Sequence, residues 1–186
     1  GYHPTALPEN RGRHPIIWAL ALGLEETGST FFFMNEGADS GDILSQKKIK
    51  IVRRDDAGSL YKKIVRIALT QIEEFLPNLL SNQYKTIPQN HTNSNTWRKR
   101  KQKDGKIDWR MSAGSIHNLV RALSKPYIGA HFEHKGVEIK VWKTKVVHLK
   151  EKNIEPGKVI SADSQGIVIK TGDDYIKILS AEPKIN

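Results

Sequence analysis

Apolar residues in the first half of the chain recur in patterns that predict alternating helices and strands. Residues 16–22 are apolar almost throughout, with a proline before them and a glycine after them, which is typical of a short buried helix. Residues 30–34 form a β-prone apolar run bounded by Gly28, which predicts a buried strand. Residues 43–51 alternate in part between apolar and polar side chains and predict another strand. This half is therefore expected to be α/β.

A long helix is predicted from position 56 onward. Asp56 is suited to an N-cap, and apolar residues then recur every three or four positions, as on one face of a helix. Pro77 is expected to kink or shorten the end of this helix, because proline lacks a backbone N–H and collides with the preceding turn. The apolar positions are Leu60, Ile64, Ala68, Ile72, Phe75 and Leu79.

In the second half, one helix is followed by short strands. Residues 112–123 have helical spacing, and Ser112 is suited to cap them. Beyond a turn at 134–136 the apolar period changes to two, and further strands are predicted at 158–160, 167–170 and 175–179. Several short strands after a single helix predict a small, mostly β domain, which we expect to form an OB-like barrel.

Composition and charge refine this division. The 186 residues are 38% hydrophobic, include no cysteine and contain no apolar run near the roughly 18 residues of a membrane span. We therefore expect a folded, cytoplasmic protein without membrane segments. Residues 1–95 hold 11 basic and 10 acidic side chains, whereas residues 96–186 hold 19 and 10. The chain starts at Gly1 and not at methionine, so we expect a fragment of a longer protein.

A polar stretch separates the two halves. Residues 82–96 are rich in Asn, Gln, Ser and Thr, a composition typical of a linker. We predict a partial catalytic domain at 1–82, a linker at 83–108 and the β domain at 109–186. The run of basic residues at 98–103 is either a solvated part of the linker or a contact for RNA phosphates.

Candidate chemistry lies before residue 47. His3 follows one predicted strand, and the acidic, glycine-rich loop 36–42 follows another. Taken singly, such a loop is usually a connecting turn and such a histidine is usually structural. In an open α/β sheet, however, ligands bind where neighbouring strands end. A carboxylate beside an imidazole there stabilises the protonated ring and fixes its tautomer, which suits proton transfer.

Two ordered sets of motifs resemble the formyltransferases that use 10-formyltetrahydrofolate, a family that includes methionyl-tRNA formyltransferase and the sugar-nucleotide N-formyltransferases. The resemblance covers nearly the whole chain. The first set is His3, Leu7-Pro8, Arg11-Gly12-Arg13, Trp18, Thr27-Gly28-Ser29-Thr30 and the loop from Gly37 to Leu44. The second set is Asp104-Gly105-Lys106-Ile107-Asp108-Trp109, Ile116 to Leu123, Pro126-Tyr127, Gly129-Ala130 and Val141-Trp142.

The resemblance implies the carboxyl-terminal half of a Rossmann-like formyltransferase domain, with its amino-terminal part missing, followed by an OB-like domain. It implies that His3 and Asp39 are catalytic, and that 10-formyltetrahydrofolate is the co-substrate. The family's catalytic Asn falls at position 1, where this chain has Gly1. Residues expected to bind the folate are Leu7, Pro8, Gly37, Ala38 and Asp42.

In the implied mechanism, a primary amine attacks the formyl carbon, an oxyanion develops, and the folate nitrogen leaves with a proton. Arg11 and Arg13 are candidates to bind an anionic substrate, although arginine beside a glycine turn is as often structural. The motifs favour an amino-sugar nucleotide as the acceptor. The charge of the second half favours methionyl-tRNA instead. Gly1 leaves a third possibility, a folate- or RNA-binding remnant without turnover.

The remaining histidines do not predict a metal site, because His131 and His134 lack further ligand-like neighbours in the sequence. The oligomeric state is left open.

Overall fold

A computed structural model describes residues 1–151 and 153–184 of the chain. The chain divides into two compact units. Unit 1 consists of Gly1–Ala19, Leu24–Asp55 and Ser59–Arg100, and unit 2 of Leu20–Gly23, Asp56–Gly58 and Lys101–Asn186. The helices are α1 Pro15–Ala21, α2 Ala57–Leu80 and α3 Ala113–Ala122. The strands are β1 Tyr2–His3, β2 Arg11–Gly12, β3 Glu26–Phe32, β4 Ile43–Lys50, β5 Thr96–Trp97, β6 Ala130–His134, β7 Val137–Val147, β8 Val159–Asp163, β9 Gly166–Lys170 and β10 Tyr175–Glu182.

Unit 1 contains an antiparallel sheet in the order β1-β3-β4. Leu7, Phe32 and Ile43 form one buried apolar cluster beside this sheet. A second, two-stranded sheet pairs β2 with β5 in parallel, so that Arg11 lies opposite Thr96. The segment expected to be a linker thus contributes a strand to unit 1.

Strand β3 starts at Glu26, so Gly28 lies inside the strand and does not bound it as expected. The reason is a close backbone approach. A Cβ at Gly28 would lie 2.5 Å from the Ala6 nitrogen and 2.6 Å from the Thr5 carbonyl carbon. Glycine is retained here because it lets another chain segment cross the strand at contact distance.

Helix α2 continues to Leu80, three residues past Pro77, so the proline does not end it at that point. Pro77 sits in the last turn, where its missing N–H removes one hydrogen bond and few later residues depend on it. After the proline, the Ser81 N–H donates to the Pro77 carbonyl at 3.1 Å. The buried face of the helix includes Leu60 and Ile64, as the periodicity predicts.

Unit 2 consists of α3 and an antiparallel sheet in the order β6-β7-β10-β9-β8. Helix α3 begins as predicted, with the Ser112 hydroxyl accepting from the Ser115 N–H at 3.0 Å. Among the described residues, no strand pairing joins β6 to β8, so the sheet is open. The OB-like barrel is therefore not confirmed: the described part of the chain contains the strands but no closed barrel.

No helix of the described residues has the length and apolar character required to cross a membrane.

Candidate active site

The imidazole of His3 is buried at the end of β1, with 5% of the residue exposed. Its Nε2 lies 2.8 Å from the Asn10 carbonyl oxygen. Because a carbonyl only accepts, Nε2 carries the hydrogen and donates it. Nδ1 is therefore the ring nitrogen that gains or loses a proton.

Asp39 faces that nitrogen. Its Oδ2 lies 3.6 Å from His3 Nδ1, too long for a hydrogen bond but within ion-pair distance. The side chain of Asp39 is 21% exposed, so the negative charge is partly shielded from water. A carboxylate in this position stabilises a positive charge on the ring. The arrangement can hold a proton at Nδ1 and deliver it to a neighbouring group.

The two side chains meet by a route that differs from the expected one. Because β1 and β3 are antiparallel, the end of β1 pairs with Thr30 and does not adjoin the carboxyl end of β3. Asp39 reaches His3 through the loop that follows β3. Asp39 itself adopts a left-handed conformation with φ of 51°, which aspartate tolerates better than most residues.

Gly12 fixes the carboxylate of Asp39. Its N–H donates to Asp39 Oδ2 at 2.8 Å. Gly12 has φ of 96°, and a Cβ there would lie 2.3 Å from the Trp97 carbonyl oxygen. Both facts require glycine at this position. The Arg-Gly turn therefore positions the acidic loop.

Gln89 holds the same loop from the other side. Its Nε2 donates to the carbonyl oxygens of Asp39 at 2.9 Å and of Gly41 at 2.6 Å. Its Oε1 accepts from Arg11 Nη2 at 2.6 Å. Gln89 was not predicted from the sequence, because it lies in a polar stretch whose composition predicts a linker. A single amide has no periodic signal that would mark it.

The two arginines of the turn have different surroundings. Arg11 is buried, with 8% of the residue exposed, and its guanidinium also donates to His91 Nδ1 at 3.0 Å. Its Nε is buried and has no hydrogen-bond partner among the residues that the structure describes. Arg13 is exposed, and its backbone N–H donates to the Trp97 carbonyl at 3.0 Å. Arg13 is thus the one of the pair that faces solvent.

The residues expected to bind folate fall into two groups. Leu7 is buried in the apolar cluster, whereas Pro8 beside it is half-buried. Gly37, Ala38 and Asp42 lie exposed on the acidic loop. The second group lies on the same loop as Asp39.

A cavity of about 350 Å³ opens beside the end of this loop. Asp42 lines it, together with Phe33 and Tyr84, whose rings are stacked with centroids 5.4 Å apart. This volume lies within the range of small-molecule sites in proteins. The remaining lining residues are Met34, Asn35, Gly41 and Thr86.

Gly1 pairs with the backbone of Phe32. The amino group of Gly1 donates to the Phe32 carbonyl at 2.7 Å, and the Phe32 N–H donates to the Gly1 carbonyl at 3.0 Å. A Cβ at position 1 would lie 2.7 Å from the Phe32 ring and 3.0 Å from Met34 Cγ. In this conformation, the space for a side chain at position 1 is already occupied.

Comparison with known proteins identifies the family to which this chain belongs. Residues 1–75 match the family model described as "Formyl transferase", and residues 99–185 match "Formyl transferase, C-terminal domain". The chain belongs to the formyl transferase family. Both matches agree with the order of the motifs in the sequence.

Individual relatives of this formyl transferase differ in their names. The bifunctional polymyxin resistance protein ArnA of Wigglesworthia glossinidia brevipalpis is 37% identical over 97% of this chain and 27% of its own length. The methionyl-tRNA formyltransferase of Halothermothrix orenii is 35% identical over 97% of this chain and 58% of its own length. The chain thus spans well under two thirds of either relative.

The fold matches a solved structure over nearly its full length. The N-formyltransferase of Helicobacter canadensis, in complex with folinic acid and dTDP-3-aminofucose, superposes with a TM-score of 0.76 at 21% identity. The match covers 96% of this chain and 64% of that protein. This similarity establishes the fold of the formyl transferase.

Proposed function

We propose that the protein transfers a formyl group from 10-formyltetrahydrofolate to a primary amine, and that the amine belongs to an amino-sugar nucleotide. The observation that carries the proposal is the facing pair of His3 and Asp39, with Nδ1 and Oδ2 3.6 Å apart. The pair can move one proton without a thiol or a metal ion. Formyl transfer requires such proton transfer, because the attacking amine loses a proton and the leaving nitrogen gains one.

In this proposal each polar group has one task. His3 Nδ1 accepts a proton from the attacking amine and returns one to the leaving nitrogen. Asp39 stabilises the ring while it is positively charged. The Asn10 carbonyl, through its contact with Nε2, keeps the ring in one orientation. The Gly12 N–H holds the carboxylate of Asp39, and Gln89 holds its backbone carbonyl.

The residues around the acidic loop fit a folate. The cavity beside Asp42 has room for a small molecule, stacked aromatic rings and several polar groups, a mixture typical of small-molecule sites. We assign the pocket and the exposed Gly37 and Ala38 to folate binding. When bound, 10-formyltetrahydrofolate supplies an activated formyl carbon. Leu7, buried in the core, would support the site and Pro8 would border it.

The acceptor is assigned from motif similarity and from the names of related proteins. The segments at 11–18 and 117–130 resemble those of the sugar-nucleotide enzymes, and the fold neighbour from H. canadensis is described with dTDP-3-aminofucose. The second candidate acceptor is methionyl-tRNA. It is favoured by the 19 basic against 10 acidic side chains of residues 96–186 and by relatives named as methionyl-tRNA formyltransferases.

The two parts of the chain would then have separate tasks. We propose that residues 1–82 belong to the catalytic domain and that residues 109–186 form a carboxyl-terminal domain that assists acceptor binding.

An assay with two acceptors tests the proposal. The protein is incubated with 10-formyltetrahydrofolate and either dTDP-3-aminofucose or methionyl-tRNA, and tetrahydrofolate release and formylated product are measured. We expect product with the sugar nucleotide. Product with methionyl-tRNA alone would transfer the assignment to the second acceptor. No product with either would favour a binding remnant without turnover.

Replacement of the carboxylate tests the catalytic pair. Asp39→Asn keeps the shape of the side chain and removes its charge, so we expect kcat to fall roughly a hundredfold or more. Glu36→Gln, on the same exposed loop, is the matched control and should leave kcat unchanged. Wild-type turnover in Asp39→Asn would refute the role given to Asp39.

A further inference from the structure

Two basic segments that lie far apart in the sequence emerge side by side in unit 1. Because β2 and β5 pair in parallel, the residues that follow each strand leave the sheet at the same end. The Arg13 N–H donates to the Trp97 carbonyl at 3.0 Å and thereby fixes this arrangement. We define the basic cluster as Arg13, His14, Arg98, Lys99 and Arg100.

The indole of Trp18 organises part of this cluster. Its Nε1 donates to the Arg98 carbonyl at 3.0 Å. The guanidinium carbons of Arg98 and Arg100 lie 5.4 and 4.5 Å from the Trp18 ring centre, which is within cation–π distance. Trp97 lies beside Trp18, with ring centres 6.4 Å apart. Arg98 and Arg100 are therefore held against Trp18 by specific contacts, unlike the side chains of a solvated linker.

The positive charges of the cluster converge. Burial lowers the pKa of His14, and the charges of Arg13, Lys99 and Arg100 lower it further. Cations from both segments therefore act on the same ring. Arg13 and Lys99 are also exposed, so their charge is available to a ligand in solvent.

The cluster begins next to the catalytic carboxylate. Gly12, whose N–H donates to Asp39 Oδ2, is the residue directly before Arg13. Consecutive Cα atoms are about 3.8 Å apart. The backbone of Arg13 therefore lies one residue from the N–H that holds Asp39, which places the start of the cluster close to the His3–Asp39 pair.

We propose that the basic cluster binds the phosphate groups of the acceptor and so directs its amine to His3 and Asp39. The inference rests on the proposed function, which requires an amine acceptor. Guanidinium groups bind phosphate through paired, charge-assisted hydrogen bonds, and an ammonium adds a point charge. Arg98 and Arg100 pack against the Trp18 ring and contribute to the basic surface, while Arg13 and Lys99 contact the ligand. The shared chemistry is phosphate, carried by either a nucleoside diphosphate or an RNA.

Binding measurements on charge variants test the assignment. The test variant is Arg13→Gln with Lys99→Gln, and the matched control is Lys62→Gln with Arg66→Gln, two exposed cations on α2. Thymidine diphosphate and a 5′-phosphorylated RNA hairpin serve as probes in calorimetric titrations at several salt concentrations. We expect the test variant to weaken binding about tenfold and to reduce the salt slope by about one or two, with the control unchanged.

The outcomes distinguish the sources of phosphate. A loss with thymidine diphosphate identifies a nucleotide as the ligand, and a loss with the hairpin alone identifies RNA. Equal affinities of the test and control variants for both probes would overturn the inference. Because binding needs no turnover, His3→Ala should bind both probes like the wild type. Absence of formyl transfer by the wild-type protein with either acceptor would refute the proposed function and leave this binding result intact.

Discussion

At the scale of single residues, the side-chain amide of Gln89 connects the acidic loop to the buried Arg11. An amide presents a donor and an acceptor group at once, and Gln89 uses both. Its nitrogen holds two carbonyls of the acidic loop, and its oxygen holds the buried Arg11. Neither a carboxylate nor an ammonium offers this combination. The position of Asp39 therefore depends on a side chain 50 positions later in the sequence.

We expect Gln89→Ala to lower kcat by about tenfold to a hundredfold, because a shift of the Asp39 loop by an ångström suffices for such a loss. The effect should fall on kcat more than on KM for the acceptor, since the phosphate contacts that we propose are made by Arg13 and Lys99. Steady-state kinetics check this split.

Gln71→Ala is the control for this variant. Gln71 is also a buried amide and donates to Ser29 and Ser45, away from the acidic loop. It should cost stability, while the folded protein keeps its kcat. If the two variants reduce kcat equally, Gln89 has no specific positioning role.

At the scale of elements, periodicity located the longer helices and strands. Helix α3 and its Ser112 cap were found from spacing alone, as was most of β7. The two-residue strands β2 and β5 were not predicted, because two residues cannot display a period, whereas the strand expected to end at His3 is present as β1. The site depends on these short strands. The strand-end argument placed His3 near the acidic loop, and the resemblance of the motifs singled out Asp39 within that loop.

Pro77 provides a test at this scale. It lies exposed in the last turn of α2, where it breaks one backbone hydrogen bond without ending the helix. We expect Pro77→Ala to raise the free energy of unfolding by about 1 kcal/mol, measured by urea denaturation followed by circular dichroism. Pro77→Gly should gain less, because glycine is also a weak helix former. A wild type more stable than both variants would contradict this account.

At the scale of the whole molecule, the sequence placed nearly all the net charge after residue 95, which suggested a basic second domain. The structure divides that charge differently, since Arg98, Lys99 and Arg100 belong to unit 1 and lie near Trp18. Composition cannot reveal this, because it depends on the pairing of β5 with β2. The open sheet of unit 2 likewise depends on long-range pairing that strand spacing does not specify.

Both units also contain an aspartate on which acid stability depends. Burial tends to raise the pKa of Asp55, but hydrogen bonds from Lys63, the Val52 N–H and Ser59 outweigh it and lower the pKa. In unit 2, burial likewise tends to raise the pKa of Asp173. Hydrogen bonds from the Ala113 and Asp174 N–H groups outweigh this effect and lower the pKa. A carboxyl group with a lowered folded pKa stabilises the protein above its unfolded pKa of about 4. That contribution is lost as the pH falls further.

We therefore expect the free energy of unfolding to fall as the pH drops below about 4, and Asp55→Asn isolates one source of the loss. At pH 7 the variant should be less stable than the wild type, because Lys63 loses its charged partner. The difference should narrow towards pH 2, since a protonated Asp55 is as neutral as asparagine.

Urea denaturation at pH 7, 5, 3 and 2 measures this difference in the free energy of unfolding, with Glu36→Gln on the exposed loop as the control. The net charge of +10 at pH 7 grows as carboxylates are protonated, and the repulsion it causes acts on wild type and variant alike. A difference that stays constant with pH would mean that Asp55 stabilises unit 1 through its shape and neutral hydrogen bonds, and not through its charge.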